Sequence, residues 1–143
     1  MKKINLFVYG SLREGFFNYD KYLAGKVVEK KDAILENMRL YHMPYKGYPA
    51  ITPGNDKVLG EIMVINEEEY DETVKDMDEM EGFISENNPE NEYHKIVLAV
   101  KNLQTNEKEK CFVYFYNKDK DKVFDSESVY IPNGDWKEYM LTK

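Results

Sequence analysis

The chain has 143 residues, 42% hydrophobic and 14% aromatic, enough for one packed core and too many for a disordered chain even with 33% charged residues. Its 27 acidic and 20 basic residues leave a net charge of −7, which opposes binding to nucleic acid or to an anionic membrane surface. The one cysteine, Cys111, excludes an intramolecular disulfide and reads as a small core residue in an apolar run.

Met1-Lys2-Lys3 followed by residues 4–8 faintly imitates a leader, but the apolar run is short and Tyr9-Gly10-Ser11 interrupts it. No stretch approaches membrane-spanning length, so the expected location is cytoplasmic. Ile4, Leu6 and Val8 alternate with Asn5, Phe7 and Tyr9, which predicts a strand apolar on one face and part-covered on the other. It runs straight into Gly10-Ser11. Glycine there is free to take a positive φ and to bring main-chain N–H groups close to a docked group. Successive N–H groups in such a turn can cradle a carboxylate or an oxyanion. A plain strand end accounts for the same residues.

Residues 18–23 predict a short helix or turn ended by Gly25. Residues 26–40 alternate loosely, with Val27, Val28, Ile34 and Leu35 available for burial. Pro53-Gly54-Asn55-Asp56 predicts a turn, and residues 58–65 predict a strand in which Gly60 allows a bulge or a close approach. Asn66-Glu67-Glu68-Glu69 is the clearest helix start. Asn66 can cap the exposed N–H groups, the glutamates suit the positive end of the dipole, and Gly82 supplies a stop. After an acidic, Asn-rich loop (85–92), residues 93–100 and 110–116 predict two strands joined through Gln104-Thr105-Asn106. Residues 117–122 read as a solvated loop of alternating charge, and Trp136 and Tyr139 as anchors pinning the tail to the core. With no internal repeat and no linker, residues 1–143 are expected to form one domain, 117–143 being a tail packed on it.

One helical residue is out of place. At roughly 100° per residue, and with Tyr70 as reference, Val74 lies about 40° round, Met77 about −20° and Glu81 about +20°. Glu81 therefore falls in the middle of the apolar stripe and at the negative end of the helix dipole, and both conditions favour a raised pKa. It either escapes by fraying of the last turn, toward water, Lys95 or Arg39, or it is held in a pocket as an acid–base group.

Tyr9-Gly10-Ser11-Leu12 after an N-terminal strand, Gly60-Glu61 in a middle strand, and Asp78-Glu79-Met80-Glu81-Gly82 followed by Tyr93 resemble, in order and spacing, the γ-glutamylcyclotransferase-like family, which includes the γ-glutamylamine cyclotransferases and AIG2-like proteins. The resemblance runs from Ile4 to about Tyr116, with a weaker echo at Gly134-Asp135-Trp136. It implies an α+β fold, a small mixed β-barrel with a few peripheral helices and a pocket at the barrel mouth. It also implies that Tyr9, Gly10, Ser11 and Leu12 hold a γ-glutamyl group, that Glu81 is the acid–base residue and that Tyr114, or its neighbour Tyr116, lines the pocket.

Such a substrate carries its own nucleophile, the α-amino group, so the protein need only fold it and move protons. The implied products are 5-oxoproline and a free amine or amino acid. No metal or organic cofactor is called for, and the oligomeric state is open. Residues 48–51 and the loop 85–92 are candidates to shape the leaving-group side, and the overall acidity tilts the expectation toward a cationic leaving group. Ser11 lacks the elbow motif of a serine hydrolase, and His42 and His94 are too isolated for a triad or a metal site. The other reading is a binding module that keeps the pocket without turnover.

Overall fold

Strand-forming segments of alternating polarity dominate the chain, and they close on themselves. The computed structural model describes residues 3–142; Met1 and Lys2, at the head of the leader-like segment, and Lys143 lie outside the described residues. The strands are β1 (Asn5–Val8), β2 (Val27–Met43), β3 (Tyr48–Ile65), β4 (Tyr93–Asn102), β5 (Lys108–Tyr116) and β6 (Val129–Ile131). The α-helices are α1 (Tyr70–Met80), α2 (Phe124–Glu127) and α3 (Trp136–Thr142). The sheet order is β3-β1-β5-β4-β2-β6, and β2 also pairs with β3, so five strands close into a barrel with β6 added along β2. Because β1 runs antiparallel to β3 but parallel to β5, the barrel is mixed. The fold is the α+β barrel with peripheral helices that the family resemblance implies.

Side chains alternate across a strand, and here both faces of β1 are covered. Phe7 and Tyr9 join Leu35, Val58, Ile62, Val100, Cys111 and Val113 in one core cluster. Leu6 and Val8 join Met63, Ile65 and the α1 residues Tyr70, Val74 and Met77 in another. The face of Phe7 and Tyr9 is thus buried, not merely part-covered, because residues of the other barrel strands pack on it, while α1 covers the face of Leu6 and Val8. Gly60 is needed for this arrangement. A Cβ there would lie 2.3 Å from the Val8 carbonyl oxygen and 2.6 Å from the Phe7 ring.

Two expectations fail for local reasons. Residues 53–56 make no chain reversal, since β3 runs through them. The β2–β3 register shifts between Glu36 and Met38, opposite Lys57 and Pro53, and Asn37 takes φ 65°. The Pro-Gly-Asn-Asp chemistry that favours a turn here makes a bulge in a long hairpin. The reversal comes at residues 44–47, where Gly47 (φ +83°) bonds back to the Met43 carbonyl at 2.7 Å. Val28, expected inside, is 64% exposed, because a second register shift between Val27 and Glu29 takes it out of the alternation.

The remaining elements serve as braces. Residues 67–69 form a tight turn before α1, with Asn66 Oδ1 accepting from the Glu68 N–H at 2.9 Å. Tyr19–Leu23 forms one wide helical turn, closed by the Ala24 N–H on the Tyr19 carbonyl at 2.9 Å. The segment beginning at Asn117 is less solvated than its charges imply. Asn117 is buried and donates to the carbonyls of Pro89 and Asn91 at 3.0 and 2.9 Å. Buried Trp136 donates its indole N–H to His42 Nδ1 at 3.1 Å, tying α3 to β2. Gly60→Ala should lower the unfolding free energy by about 2–4 kcal/mol, because neither β1 nor the Phe7 ring can retreat from a closed barrel. Urea denaturation followed by Trp136 fluorescence measures the loss, and a shift under 1 kcal/mol would show that the contact relaxes.

Candidate active site

The first half of the site is the turn after β1. The Arg13 N–H closes it on the Gly10 carbonyl at 2.9 Å, and the Tyr19 N–H binds the Ser11 carbonyl at 3.1 Å. Neither bond uses the N–H groups of Ser11 and Leu12. Gly10 does not take the positive φ expected of it. Its requirement is space, since a Cβ would lie 2.5 Å from Cγ of Pro49. Asn18 donates to the Ser11 hydroxyl at 2.7 Å, so that oxygen is held by an amide and not by a histidine. His42 is bonded to Trp136, and His94 lies against Asn91 and Phe115. Behind the turn, buried Arg13 reaches Glu61 on β3 (3.5 Å) and Asp135 of the C-terminal segment (3.1 Å), while the Glu14 N–H donates to Glu61 (3.2 Å). This braces the turn from two directions.

The second half is the end of α1. Glu81 keeps helical backbone angles as the C-cap, and Gly82 follows at φ +69°. The Gly82 N–H bonds to the Glu79 carbonyl at 3.2 Å and the Phe83 N–H to the Asp78 carbonyl at 2.9 Å, the paired bonds of a left-handed helix stop. The chain then returns. The Glu92 N–H binds the Gly82 carbonyl (2.9 Å) and the Tyr93 N–H binds the Glu81 carbonyl (3.2 Å), which fastens the start of β4 to the helix end.

The last turn therefore does not fray, and Glu81 stays on the stripe. Lys95 is taken by Asp78 at 2.9 Å, and Arg39 lies over the Tyr130 ring. Among the described residues, none makes a hydrogen bond or ion pair with the Glu81 carboxyl. Burial first, then the neighbouring charges of Glu92 and Asp78, push its pKa from 4.5 to about 8.

The two halves face a cavity of about 250 Å³ that brings together Tyr9, Gly10, Ser11, Leu12, Glu81 and Tyr114. Every site residue singled out in the sequence lines it. Of the pair Tyr114 and Tyr116, Tyr114 lines the cavity. Tyr116 instead donates to Asp121 at 2.6 Å, outside this cavity. The phenols are fixed. Tyr9 donates to the Tyr114 carbonyl (2.6 Å), Tyr93 to the Pro49 carbonyl (2.5 Å) and Tyr114 to Asp78 (2.5 Å). Burial raises the pKa of each, so all three remain protonated donors.

Tyr48, Pro49 and Glu92, from the two segments expected to shape the leaving-group side, also line the cavity, and Tyr48 donates to Glu92. Sequence reasoning used Tyr93 only as a spacing marker and missed Asn18 and Asp78. Their signal is weak, since a tyrosine at a strand start and an aspartate on a helix are commonplace. Among the described residues, no group of three His, Cys, Asp or Glu side chains is arranged to hold a metal ion.

An unpaired carboxyl facing an amide-bearing turn, in a small cavity ringed by fixed phenols, defines a small-molecule site on a barrel scaffold. The chain matches the family described as gamma-glutamyl cyclotransferase, AIG2-like, over residues 6–138, and it belongs to that family of enzymes. It is similar to the gamma-L-glutamyl-butirosin B gamma-glutamyl cyclotransferase of Niallia circulans, with 28% identity over 137 residues, 96% of this chain and 78% of the relative. In fold it is similar to an AIG2-like protein of Mus musculus (TM-score 0.58, 22% identity, 78% of this chain and 76% of that one). It is also similar to an Arabidopsis thaliana protein solved in solution (TM-score 0.66, 23% identity, 99% and 75%).

Each acidic neighbour should move the Glu81 titration in a known direction. Both Glu92→Gln and Asp78→Asn remove a like charge and should lower its pKa, Glu92→Gln by more. Carbon-13 NMR titration of the Glu81 carboxyl reads this without any substrate, and an upward shift in either variant would contradict the assignment.

Proposed function

We propose that this chain is a γ-glutamyl cyclotransferase that releases 5-oxoproline, with Glu81 as its general acid and base. The observation that carries the reading is the unpaired Glu81 carboxyl, held near neutrality across the cavity from the Gly10-Ser11-Leu12 turn. In the reaction the α-amino nitrogen of the γ-glutamyl group attacks its own γ-carbonyl carbon and closes a five-membered lactam. Ionised Glu81 takes a proton from the attacking amine and returns it to the departing nitrogen as the γ-amide C–N bond breaks. One C–N bond forms and one breaks, no water is consumed, and nothing is oxidised or reduced.

A carboxyl of pKa about 8 suits both proton transfers, because neither direction is strongly uphill. The free N–H groups of Ser11 and Leu12 suit the substrate α-carboxylate or the oxygen that gains charge during attack. Tyr9 and Tyr114 complete the wall. Folding the substrate into its attacking conformer supplies the rest, an effect worth several kcal/mol. A cytoplasmic location belongs to the same reading, and the buried, unpaired Cys111 fits it.

The test is 5-oxoproline release from a panel of γ-glutamyl amino acids and amines, with Glu81→Gln alongside. Wild type should turn over at least one member, and Glu81→Gln should lose roughly 10²-fold or more in kcat while still binding substrate. Wild-type kcat/KM should climb about tenfold per pH unit and level off above about 8, where Glu81 is ionised. Release undiminished by Glu81→Gln would remove the residue from the mechanism. A silent panel would leave a pocket that binds without turnover.

Stability gives a second reading of the same proton. The Glu81 pKa is higher folded than unfolded, so the folded state holds more protons between about 4.5 and 8, and ionisation through that window destabilises the fold. Glu81→Gln is exempt from this loss. Its stability relative to wild type should rise from pH 4 to pH 8 by on the order of 1–3 kcal/mol and then stay level. Thermal melts across that range measure the gap, and a gap that does not change with pH would refute the raised pKa.

A further inference from the structure

The cavity beside Glu81 encloses about 250 Å³, below the roughly 300–1,000 Å³ of most small-molecule sites. A γ-glutamyl group takes up about half of that space, so a leaving group of more than a few atoms extends to the mouth. One wall of the cavity, Glu92, is shared with a second and more open groove of about 520 Å³. Tyr45, Lys46, Tyr116, Lys120, Asp121 and Lys122 line that groove. We propose that the groove is the leaving-group site and that it takes a leaving group bearing a carboxylate, as in a γ-glutamyl amino acid, in preference to a polyamine. The inference rests on the cyclotransferase reading above and adds the identity of what is released.

Unspent hydrogen-bonding capacity decides which leaving group the groove takes. Both carboxylates of the groove already hold partners, those of Glu92 on one oxygen, Oε2. Glu92 accepts from the Tyr48 hydroxyl and from Lys46 Nζ at 2.9 Å. Asp121 accepts from Tyr45 (2.5 Å), Tyr116 (2.6 Å) and the Val123 N–H (3.0 Å). The ammonium groups are not fully spent. Lys46 spends one of its N–H donors on Glu92, Lys120 spends one on the Glu90 carbonyl at 2.7 Å, and Lys122 has no hydrogen bond or ion pair among the described residues.

Three ammoniums against two carboxylates leave this lining positive on a chain whose net charge is −7. An incoming ammonium would meet three like charges against two carboxylates that already hold partners, whereas an incoming carboxylate would meet several vacant donors. The overall acidity, which tilts the sequence reading toward a cationic leaving group, therefore belongs to other faces of the molecule.

The test compares two amides that differ only in the carboxylate, γ-glutamyl-alanine and γ-glutamyl-ethylamine, by 5-oxoproline release. Wild type should favour the alanine amide in kcat/KM by about tenfold or more. Lys46→Gln, and separately Lys120→Gln with Lys122→Gln, should each reduce that ratio by about 5- to 10-fold, mainly through KM. Because Lys120 and Lys122 are exposed, the second variant stays folded even if the first does not. Equal use of the two amides by wild type, or a ratio that neither variant changes, would overturn the groove assignment and leave cyclotransfer standing. Release from neither amide would count against both.

Discussion

A glycine in the left-handed region at the end of α1 decides where the pocket carboxyl can stand. At φ +69° Gly82 stops the helix one residue after its last apolar position, and the two paired bonds to Asp78 and Glu79 keep the last turn wound. The same residue admits its neighbour strand, since a Cβ on Gly82 would lie 2.8 Å from Cβ of Glu92. Helix end and strand start are joined by backbone bonds through Glu81 and Tyr93. One residue without a side chain thus fixes both carboxylates of the pocket, Glu81 from the helix and Glu92 from the returning chain. A β-carbon there would strain the turn and press the two segments apart.

The opposite wall depends on parts of the chain far from it in sequence. The turn after β1 is too short to hold its own shape, and its brace is Arg13 set between Glu61 of β3 and Asp135 near the C-terminus. Glu61 and Arg13 are nearly inaccessible to solvent, so each carries a charge that only the other and its neighbours compensate. Removing one member of such a buried pair costs about 3–5 kcal/mol, far more than breaking a surface pair. Trp136 adds an apolar clamp, packed on Phe16 at a ring distance of 5.0 Å and bonded to His42. The C-terminal segment therefore acts on the site without lining it.

What could be read in advance follows the range of the interactions involved. Helical period, capping by Asn66 and termination by Gly82 are local, so the displaced position of Glu81 was visible from Tyr70, Val74 and Met77 alone. The strand pattern of residues 4–9 is legible for the same reason, although the cover on its Phe7–Tyr9 face comes from β2 to β5, distant in sequence. The Pro53–Asp56 segment shows the limit, because turn and bulge use the same residues and only the partner strand decides between them. Gly10 shows another. The sequence offers backbone freedom as the use of this glycine, but what the fold requires is space beside Pro49, some forty residues away. Asp78 and Asn18 need the folded chain altogether, since Asp78 joins the site only through its bond with Tyr114, and Asn18 reaches the cavity wall beside Ser11 only once the turn has formed.

The electrostatic arrangement explains why the protein tolerates a carboxyl in such a place. Among the described residues, the cations near the end of α1 face other carboxylates, Lys95 that of Asp78 and Lys46 that of Glu92, and none pairs with Glu81. Helix carbonyls and two acidic neighbours add to the negative potential there. The result is a group that keeps its proton near neutral pH instead of an ion pair that would hold it ionised. That choice forgoes stability, and the offset comes from the same stripe. Val74 and Met77 are buried in the core cluster that also holds Leu6 and Val8 of β1, and burying a side chain of that size contributes about 1.5–3 kcal/mol. Two such residues are of the same order as the strain of one misplaced carboxyl. A helix with a fully apolar stripe would hold the barrel more firmly, but its cavity would have nothing in it to move a proton.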